Sequence, residues 1–379
     1  MPFSKKARKP RNAYVVPAML RNLSYKLTSA LSSSEVPPVQ RDGEFAKATK
    51  TAQLFPTTDP TVDGDECLHD CDSCSVQYPR RFEIDETEEL YGHVKAFNTH
   101  LVVATGKTDW VRDVADEKGS IMEAVDRGGP KPSNGKLMLS ASDMPVPNHS
   151  DHSSRVLLLP AWQFIDNVTP ANTADLITHY VNPGPTNNSP LPSAPPAAAS
   201  TPDEHSSPAV PARLALTARP CPHKYLIFMC SQKTRDARCG QSAPLLRREF
   251  ERILRPMGLY RDLHDERPGG VGIYFISHVG GHKFSANVMI YRHSSVIQQQ
   301  QTAGMEENGD SDKKKEGTDV LLDADSQSSG EAAQCIWLAR VRPEDCENIV
   351  RYTVLQGKVV KPERQLRGGF DRCRQLASW

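Results

Sequence analysis

Apolar residues fall in short runs along the first half of the chain, and their spacing predicts alternating strands and helices. Runs of strand length occupy residues 100–105 and 155–159, and helical spacing marks residues 121–125 between them. A second helix is predicted over residues 171–180. The succession predicts an α/β fold for roughly residues 75–182.

The second half also mixes strand-length and helical patterns. Strands are predicted at residues 225–229, 272–276, 287–291 and 335–341, and helices from about Pro244 to Gly258 and over residues 343–355. Pro244 is a favoured first-turn residue, and glycine commonly follows the end of a helix. When the polar stretch before residue 335 is left out, the order is β-α-β-β-β-α, which is compatible with a thioredoxin-like sheet.

Three stretches lack this periodicity and divide the chain. We predict a disordered basic leader (residues 1–60), an α/β domain (61–182), a linker rich in Pro, Ala and Ser (183–218) and a second domain (219–379). The second domain contains a polar insertion, predicted to be disordered, at residues 294–334.

Charge and hydropathy exclude several classes of protein. Lys plus Arg and Asp plus Glu both number 46, so no net field favours nucleic acid. Apolar runs stay well short of the roughly 18 residues that a membrane helix needs, which predicts a soluble protein without a membrane partner. Nine cysteines in 379 residues are too few for a secreted disulfide scaffold and favour a reducing compartment.

The amino terminus indicates a compartment. Residues 1–34 contain no Asp or Glu but many Lys, Arg and Ser, a composition that suits a mitochondrial presequence. Apolar residues would share one face of a helix there: Val16, Leu20, Leu23, Leu27 and Leu31. We expect a mitochondrial location. A merely basic leader on a cytosolic protein is the alternative.

Two cysteines and two histidines in the second half carry the most chemical information. Soft thiolates and imidazoles together are the donor set of a Rieske-type 2Fe-2S centre. Eight residues separate Cys230 from Cys239, more than the two to four that usually close a zinc knuckle. His278 and His282 flank two glycines, which predicts a tight turn that approaches a metal group closely. The alternative is that these histidines only flank a glycine turn.

The motifs around these residues identify a resemblance. Cys230-Ser-Gln-Lys-Thr-Arg-Asp-Ala-Arg-Cys239-Gly, His278-Val-Gly-Gly-His282 and Arg367-Gly-Gly resemble the fungal sucrase/ferredoxin-like family, of the actin-patches-distal and altered-inheritance-of-mitochondria types. The resemblance implies a thioredoxin-like ferredoxin domain after a divergent, possibly thioredoxin-like α/β domain. It implies a 2Fe-2S cluster held by Cys230, Cys239, His278 and His282.

The function expected from these ligands is one-electron transfer or redox response rather than the transformation of a substrate. Histidine ligation would allow reduction to take up a proton. Two alternatives stay open. Cys67, Cys71 and Cys74 could form a second metal site or serve a thiol-based quality-control protein, and the main site could instead hold structural zinc.

Two further motifs affect the expected partners. Thr105-Gly-Lys-Thr imitates the end of a phosphate-binding loop, but Leu101 stands where that loop needs a glycine, so nucleotide binding is not predicted. The chain ends in Trp379, and an exposed terminal tryptophan resembles the signal by which the cytosolic iron-sulfur assembly machinery finds clients, although Ala377 departs from it. The other expected partners are redox proteins, with the electron donor and acceptor not identified.

Overall fold

The computed structural model describes residues 45–147, 153–192, 216–306 and 330–379. Within them, thirteen strands form one mixed sheet. The strands are β1 (Ala46–Lys47), β2 (Thr99–Ala104), β3 (Leu137–Ser142), β4 (Ser154–Leu159), β5 (Gln163–Val168), β6 (Thr217–Pro220), β7 (Tyr225–Cys230), β8 (Tyr260–Arg261), β9 (Val271–Ile276), β10 (Val288–His293), β11 (Ala332–Leu338), β12 (Leu366–Asp371) and β13 (Leu376–Ala377). The predicted α/β class is confirmed.

The helices are mostly short. They are α1 (Thr51–Leu54), α2 (Pro60–Asp63), α3 (Ile121–Glu123), α4 (Thr173–Leu176), α5 (Ala237–Leu254), α6 (Ser294–Glu306), α7 (Cys346–Asn348) and α8 (Pro362–Gln365). Wider π-type turns continue three of them: Ala124–Gly128 after α3, Ile177–Val181 after α4 and Ile349–Val354 after α7. No helix among the described residues is long and apolar enough to cross a membrane.

Each half of the chain builds the same β-α-β-β-β-α unit. In the first half the strand order is β3-β2-β4-β5, and in the second it is β9-β7-β10-β11. In both units the first two strands are parallel, the third is antiparallel to the first, and the fourth is antiparallel to the third. The second unit has the succession that the sequence predicts.

The two units join where their second strands end. Ser142, the last residue of β3, lies opposite Ile276, the last residue of β9, and the two strands are antiparallel. The Ser277 amide donates to the Ala141 carbonyl at 2.8 Å, which extends the contact. Because only the carboxyl ends overlap, the loops that follow β2 and β7 come together. The sheet is continuous through this contact, and the predicted domain limits stay a prediction.

Helix α5 begins seven residues earlier than predicted, at Ala237 rather than Pro244. Asp236 caps it, because its carboxylate accepts the Arg238 amide at 3.0 Å. The residues before Cys239 are polar, so the apolar pattern does not show where the helix begins. Pro244 lies in the interior of the helix on an exposed face. Cys239 is therefore a first-turn helical residue and not the end of a loop.

Parts of the three predicted irregular stretches are ordered. Residues 45–60 include β1, which pairs with β13, and α1, and Phe55 is fully buried in the core. At the end of the predicted linker, β6 pairs with β5. The predicted insertion starts with α6 and ends in β11. In each case apolar side chains or backbone pairing fix the segment. Residues 1–44, 193–215 and 307–329 lie outside the described residues.

Candidate metal centre

The four predicted ligands are carried by the ends of two neighbouring strands and the start of a helix. Cys230 is the last residue of β7, and β7 pairs in parallel with β9, so that Cys230 lies opposite Ile276. His278 follows β9 by two residues. Cys239 lies in the first turn of α5, and His282 begins a short 3₁₀ turn, His282–Phe284.

Three of the ligands meet closely. The ligand atoms of Cys230, Cys239 and His278 all lie within 4.8 Å of one another, which makes them the group of described residues that could hold a metal ion. The Cys230 Sγ lies 3.8 Å from Nδ1 of His278. Both cysteines are buried. The hydroxyl of Ser285 also donates to the Cys239 Sγ at 3.8 Å.

His282 stands beside this group. Its ring centroid lies 5.2 Å from that of His278. Its Nδ1 is buried and has no hydrogen-bond partner, while its Nε2 faces the Asp236 carboxylate at 3.9 Å. A buried ring nitrogen without a partner costs free energy unless it binds something. Two thiols, the Nδ1 of His278 and this unpartnered Nδ1 fit the donor set of a 2Fe-2S group.

The surroundings of the two cysteines favour ionisation of Cys239 and disfavour ionisation of Cys230. The pKa of Cys239 is lowered, chiefly by the hydrogen bond with Cys230 and further by His278 and Ser285. The pKa of Cys230 is raised, because it shares that hydrogen bond with Cys239 and is buried. The pKa of His282 is lowered by burial and by His278. The imidazole therefore favours its neutral form, which is the form that binds metal.

Arg367 fixes the turn at residues 278–282, which is here called the histidine turn. Its Nη1 donates to the Gly280 carbonyl and to Oδ1 of Asn287, both at 3.0 Å. The Asn287 amide in turn donates to the Gly281 carbonyl at 3.0 Å. The guanidinium packs over the Trp337 ring at 4.7 Å. Burial lowers the pKa of Arg367 to about 10, opposed by the nearby Cys230.

The sequence motifs include Arg367, Asp236 and Gln232, but the sequence alone predicted no role for any of the three. The available signal for Asp236 was its type, because Asp is a favoured residue just before a helix. The contacts of Arg367 and Gln232 join residues that are distant in sequence, and no local pattern marks them.

The amino-terminal cysteines are separate from this centre. Cys67 is buried, the Cys71 Sγ accepts Nη2 of Arg252 at 3.5 Å, and the Cys74 thiol donates to the Val76 carbonyl at 3.1 Å. Their sulfurs do not form a group within 4.8 Å among the described residues. Burial raises the pKa of Cys74, which disfavours its thiolate. A second metal site at Cys67, Cys71 and Cys74 stays a prediction.

Trp379 is half-buried, whereas the sequence analysis expected an exposed residue. Its ring packs against Phe97, with centroids 5.1 Å apart, and against Phe370 at 6.3 Å. The preceding Ser378 is buried, and its amide donates to the Gly369 carbonyl. The short strand β13 pairs with the sheet just before Trp379, and Phe97 and Phe370 then partly cover the indole.

The chain is similar to proteins of one family. The model of the sucrase/ferredoxin-like family matches residues 90–368. Actin patches distal protein 1 of Saccharomyces cerevisiae is 57% identical over 65 residues, which are 17% of this chain and 21% of that protein. Altered inheritance of mitochondria protein 32 of Clavispora lusitaniae is 29% identical over 140 residues, 37% of this chain and 33% of that protein.

The same-named protein of Debaryomyces hansenii is 30% identical over 138 residues, 36% of this chain and 34% of its own. The matched segments thus span between about a fifth and a third of the length of these relatives. No solved structure matches the chain. The family match extends over most of the chain and includes all four candidate ligands, and the chain therefore belongs to the sucrase/ferredoxin-like family.

Proposed function

We propose that this protein is a 2Fe-2S electron carrier or redox-responsive protein whose cluster is held by Cys230, Cys239, His278 and His282. The observation that carries the proposal is the convergence of two thiols and the Nδ1 of His278 beside the unpartnered Nδ1 of His282. Bound there, the cluster would supply one-electron chemistry. A substrate-transforming role is the less favoured interpretation.

The two sides of the site differ in exposure, which suggests where electrons pass. Cys239 is fully buried and Cys230 is 2% exposed, whereas the His282 side chain is 43% exposed. A redox partner would therefore approach the histidine side, where the path from protein surface to metal is shortest. The buried thiolates would be shielded from water and oxidants on the other side.

We further propose that electron transfer is coupled to proton uptake. The Nε2 of His282 lies on the exposed side, 3.9 Å from an Asp236 carboxylate oxygen, where a proton can be exchanged with solvent. Coupling predicts a midpoint potential that falls as pH rises, and histidine ligation predicts a potential above those of all-cysteine ferredoxins. A redox titration over a range of pH tests it, and a flat potential would contradict proton coupling.

The metal and sulfide content of the purified protein tests whether the site holds a 2Fe-2S cluster. Protein purified without oxygen should be reddish brown, contain about two irons and two sulfides per chain, and give a reduced-state EPR signal of low average g. Iron, sulfide and zinc should be assayed on one sample. A colourless protein with zinc alone, unchanged after iron-sulfur reconstitution, would favour the structural-zinc alternative.

For compartment and partners, we propose a mitochondrial location and cluster delivery by an iron-sulfur assembly system. The acid-free, basic composition of residues 1–34 and the relatives named for altered inheritance of mitochondria support the location. Delivery through Trp379 by the cytosolic machinery belongs to the cytosolic alternative, and it would require the indole to leave its contacts with Phe97 and Phe370. Fractionation of cells that express the untagged chain tests the location, and recovery in the cytosol alone would favour the alternative.

A further inference from the structure

A loop from the first half of the chain contacts the loop between Cys230 and Cys239. Residues 105–112, here called the brace loop, follow β2, and residues 231–236, here called the ligand loop, follow β7. The Ser231 hydroxyl donates to the Thr108 carbonyl at 2.7 Å. The Thr234 amide and hydroxyl donate to the two Asp109 carboxylate oxygens at 3.0 and 2.8 Å.

Gln232 connects the brace loop with the histidine turn. Its side chain is 1% exposed, and its amide nitrogen donates to the carbonyls of Trp110 and Val111. Its amide oxygen accepts the backbone N–H of His278 at 2.8 Å. One buried side chain thus bonds to the brace loop on one side and to a ligand residue on the other.

The brace loop is itself fixed to its own half. The Thr105 amide and hydroxyl both donate to the Ser142 carbonyl, at 2.9 and 2.7 Å. The Trp110 indole donates to the Thr105 hydroxyl at 2.9 Å. Ser142 is also the residue of β3 that pairs with β9. The loop is therefore anchored at the junction of the two halves.

The repeated topology explains why these two loops meet. The brace loop and the ligand loop occupy equivalent places, each after the first strand of its unit. Ala104 ends β2 where Cys230 ends β7, so the first half has no thiol at the equivalent place. The polar groups of the brace loop contact the ligand loop instead.

We propose that the first half supports the metal centre, with Gln232 and Asp109 as positioning residues that hold the ligand loop and the histidine turn in fixed relation. This inference rests on the proposed function. Residues that orient metal ligands typically affect metal retention by about 10- to 100-fold. Loss of the Gln232 bonds should let His278 move relative to Cys230 and release the metal group faster.

The test uses Gln232→Met, which keeps the side-chain length and removes both sets of hydrogen bonds, and Thr234→Val, which removes one bond at an exposed position. Thr108→Val is the matched control, because Thr108 offers only its backbone carbonyl to the ligand loop. Two readouts apply to each full-length variant: the rate of bleaching by a chelator, and hydrogen exchange at the His278 amide in metal-free protein.

In Gln232→Met, we expect the visible absorption to bleach about tenfold faster or more and the His278 amide to exchange faster. Thr234→Val should show a smaller change in both readouts. Thr108→Val should match the wild type. Wild-type bleaching and exchange in Gln232→Met would overturn the proposal. If Gln232→Met does not fold, Thr234→Val and Asp109→Asn decide by the same two readouts. If the wild type binds no iron-sulfur group, the proposed function fails, while amide exchange still tests the brace.

Discussion

The guanidinium of Arg367 lies directly beneath Gly280, donating to its carbonyl at 3.0 Å in the middle of the histidine turn. It is 5% exposed and close enough to Cys230 for the two to interact electrostatically. If the proposed cluster is bound, this buried cation would stabilise the form that carries the extra negative charge, which is the reduced form.

Replacing Arg367 should therefore lower the midpoint potential. Arg367→Met removes the charge and keeps packing against Trp337, and Arg367→Lys keeps the charge but not the two hydrogen bonds. We expect the methionine variant to have the lower potential of the two. A redox titration of both variants checks this, and equal potentials for wild type and Arg367→Met would contradict the electrostatic role.

Gly281 is predicted to be less replaceable than Gly280. Both have positive φ, +65° and +84° respectively, which costs an alanine about 1–2 kcal/mol. A Cβ at Gly281 would also lie 2.6 Å from the Arg367 guanidinium, whereas one at Gly280 would lie 3.6 Å away. Gly281→Ala should therefore lose more bound metal and more stability than Gly280→Ala. Metal content and urea unfolding measure both, and equal losses would contradict the close contact.

Stability should fall in acid because of buried histidines, most strongly His100. Burial lowers the pKa of His100 to about 3, while it bonds to Tyr291 and Ser140 in the core. The unfolded chain takes up this proton below about pH 6.5, but the folded chain does not. The contribution is therefore complete above that pH and is lost progressively toward about pH 3.

By pH 5 the expected loss from this residue is about 2 kcal/mol. His100→Gln should lose less stability between neutral pH and pH 5 than wild type does, by about that amount. Urea unfolding at the two pH values gives the comparison. Parallel pH dependences would show that His100 titrates equally in the folded and unfolded chain.

The thiol-based alternative makes a separate prediction at Cys74. Because burial raises its pKa, its thiol should react with iodoacetamide more slowly than a free thiol near neutral pH. Cys74→Ser should leave the visible spectrum unchanged and should trap no mixed disulfides with other proteins. Stable mixed disulfides on Cys74→Ser would instead support a thiol-exchange role.

The sequence predicted β2, β4, β7, β9, β10 and β11, which are rich in apolar residues, as in Tyr225–Cys230. It missed β3 and β5, because their polar residues interrupt the apolar run. Residue type and spacing indicated Cys230, Cys239, His278 and His282, and the structure brings the ligand atoms of the first three within 4.8 Å of one another. Their role as cluster ligands stays a prediction. The sequence placed the start of α5 too late, since the first turn is polar. It did not reveal the contact of the brace loop with the ligand loop, because Gln232 and Val111 are 121 residues apart in the chain and meet only where the two halves of the sheet join.

The central claim is that two histidine nitrogens and two thiolates hold one cluster. Pulsed EPR of the reduced protein tests it most directly, together with His278→Cys and His282→Cys. We expect couplings from two strongly bound nitrogens in the wild type and from one in each variant, with a lower and less pH-dependent potential in the variants. Unchanged nitrogen couplings in either variant would remove that histidine from the ligand set and contradict the account.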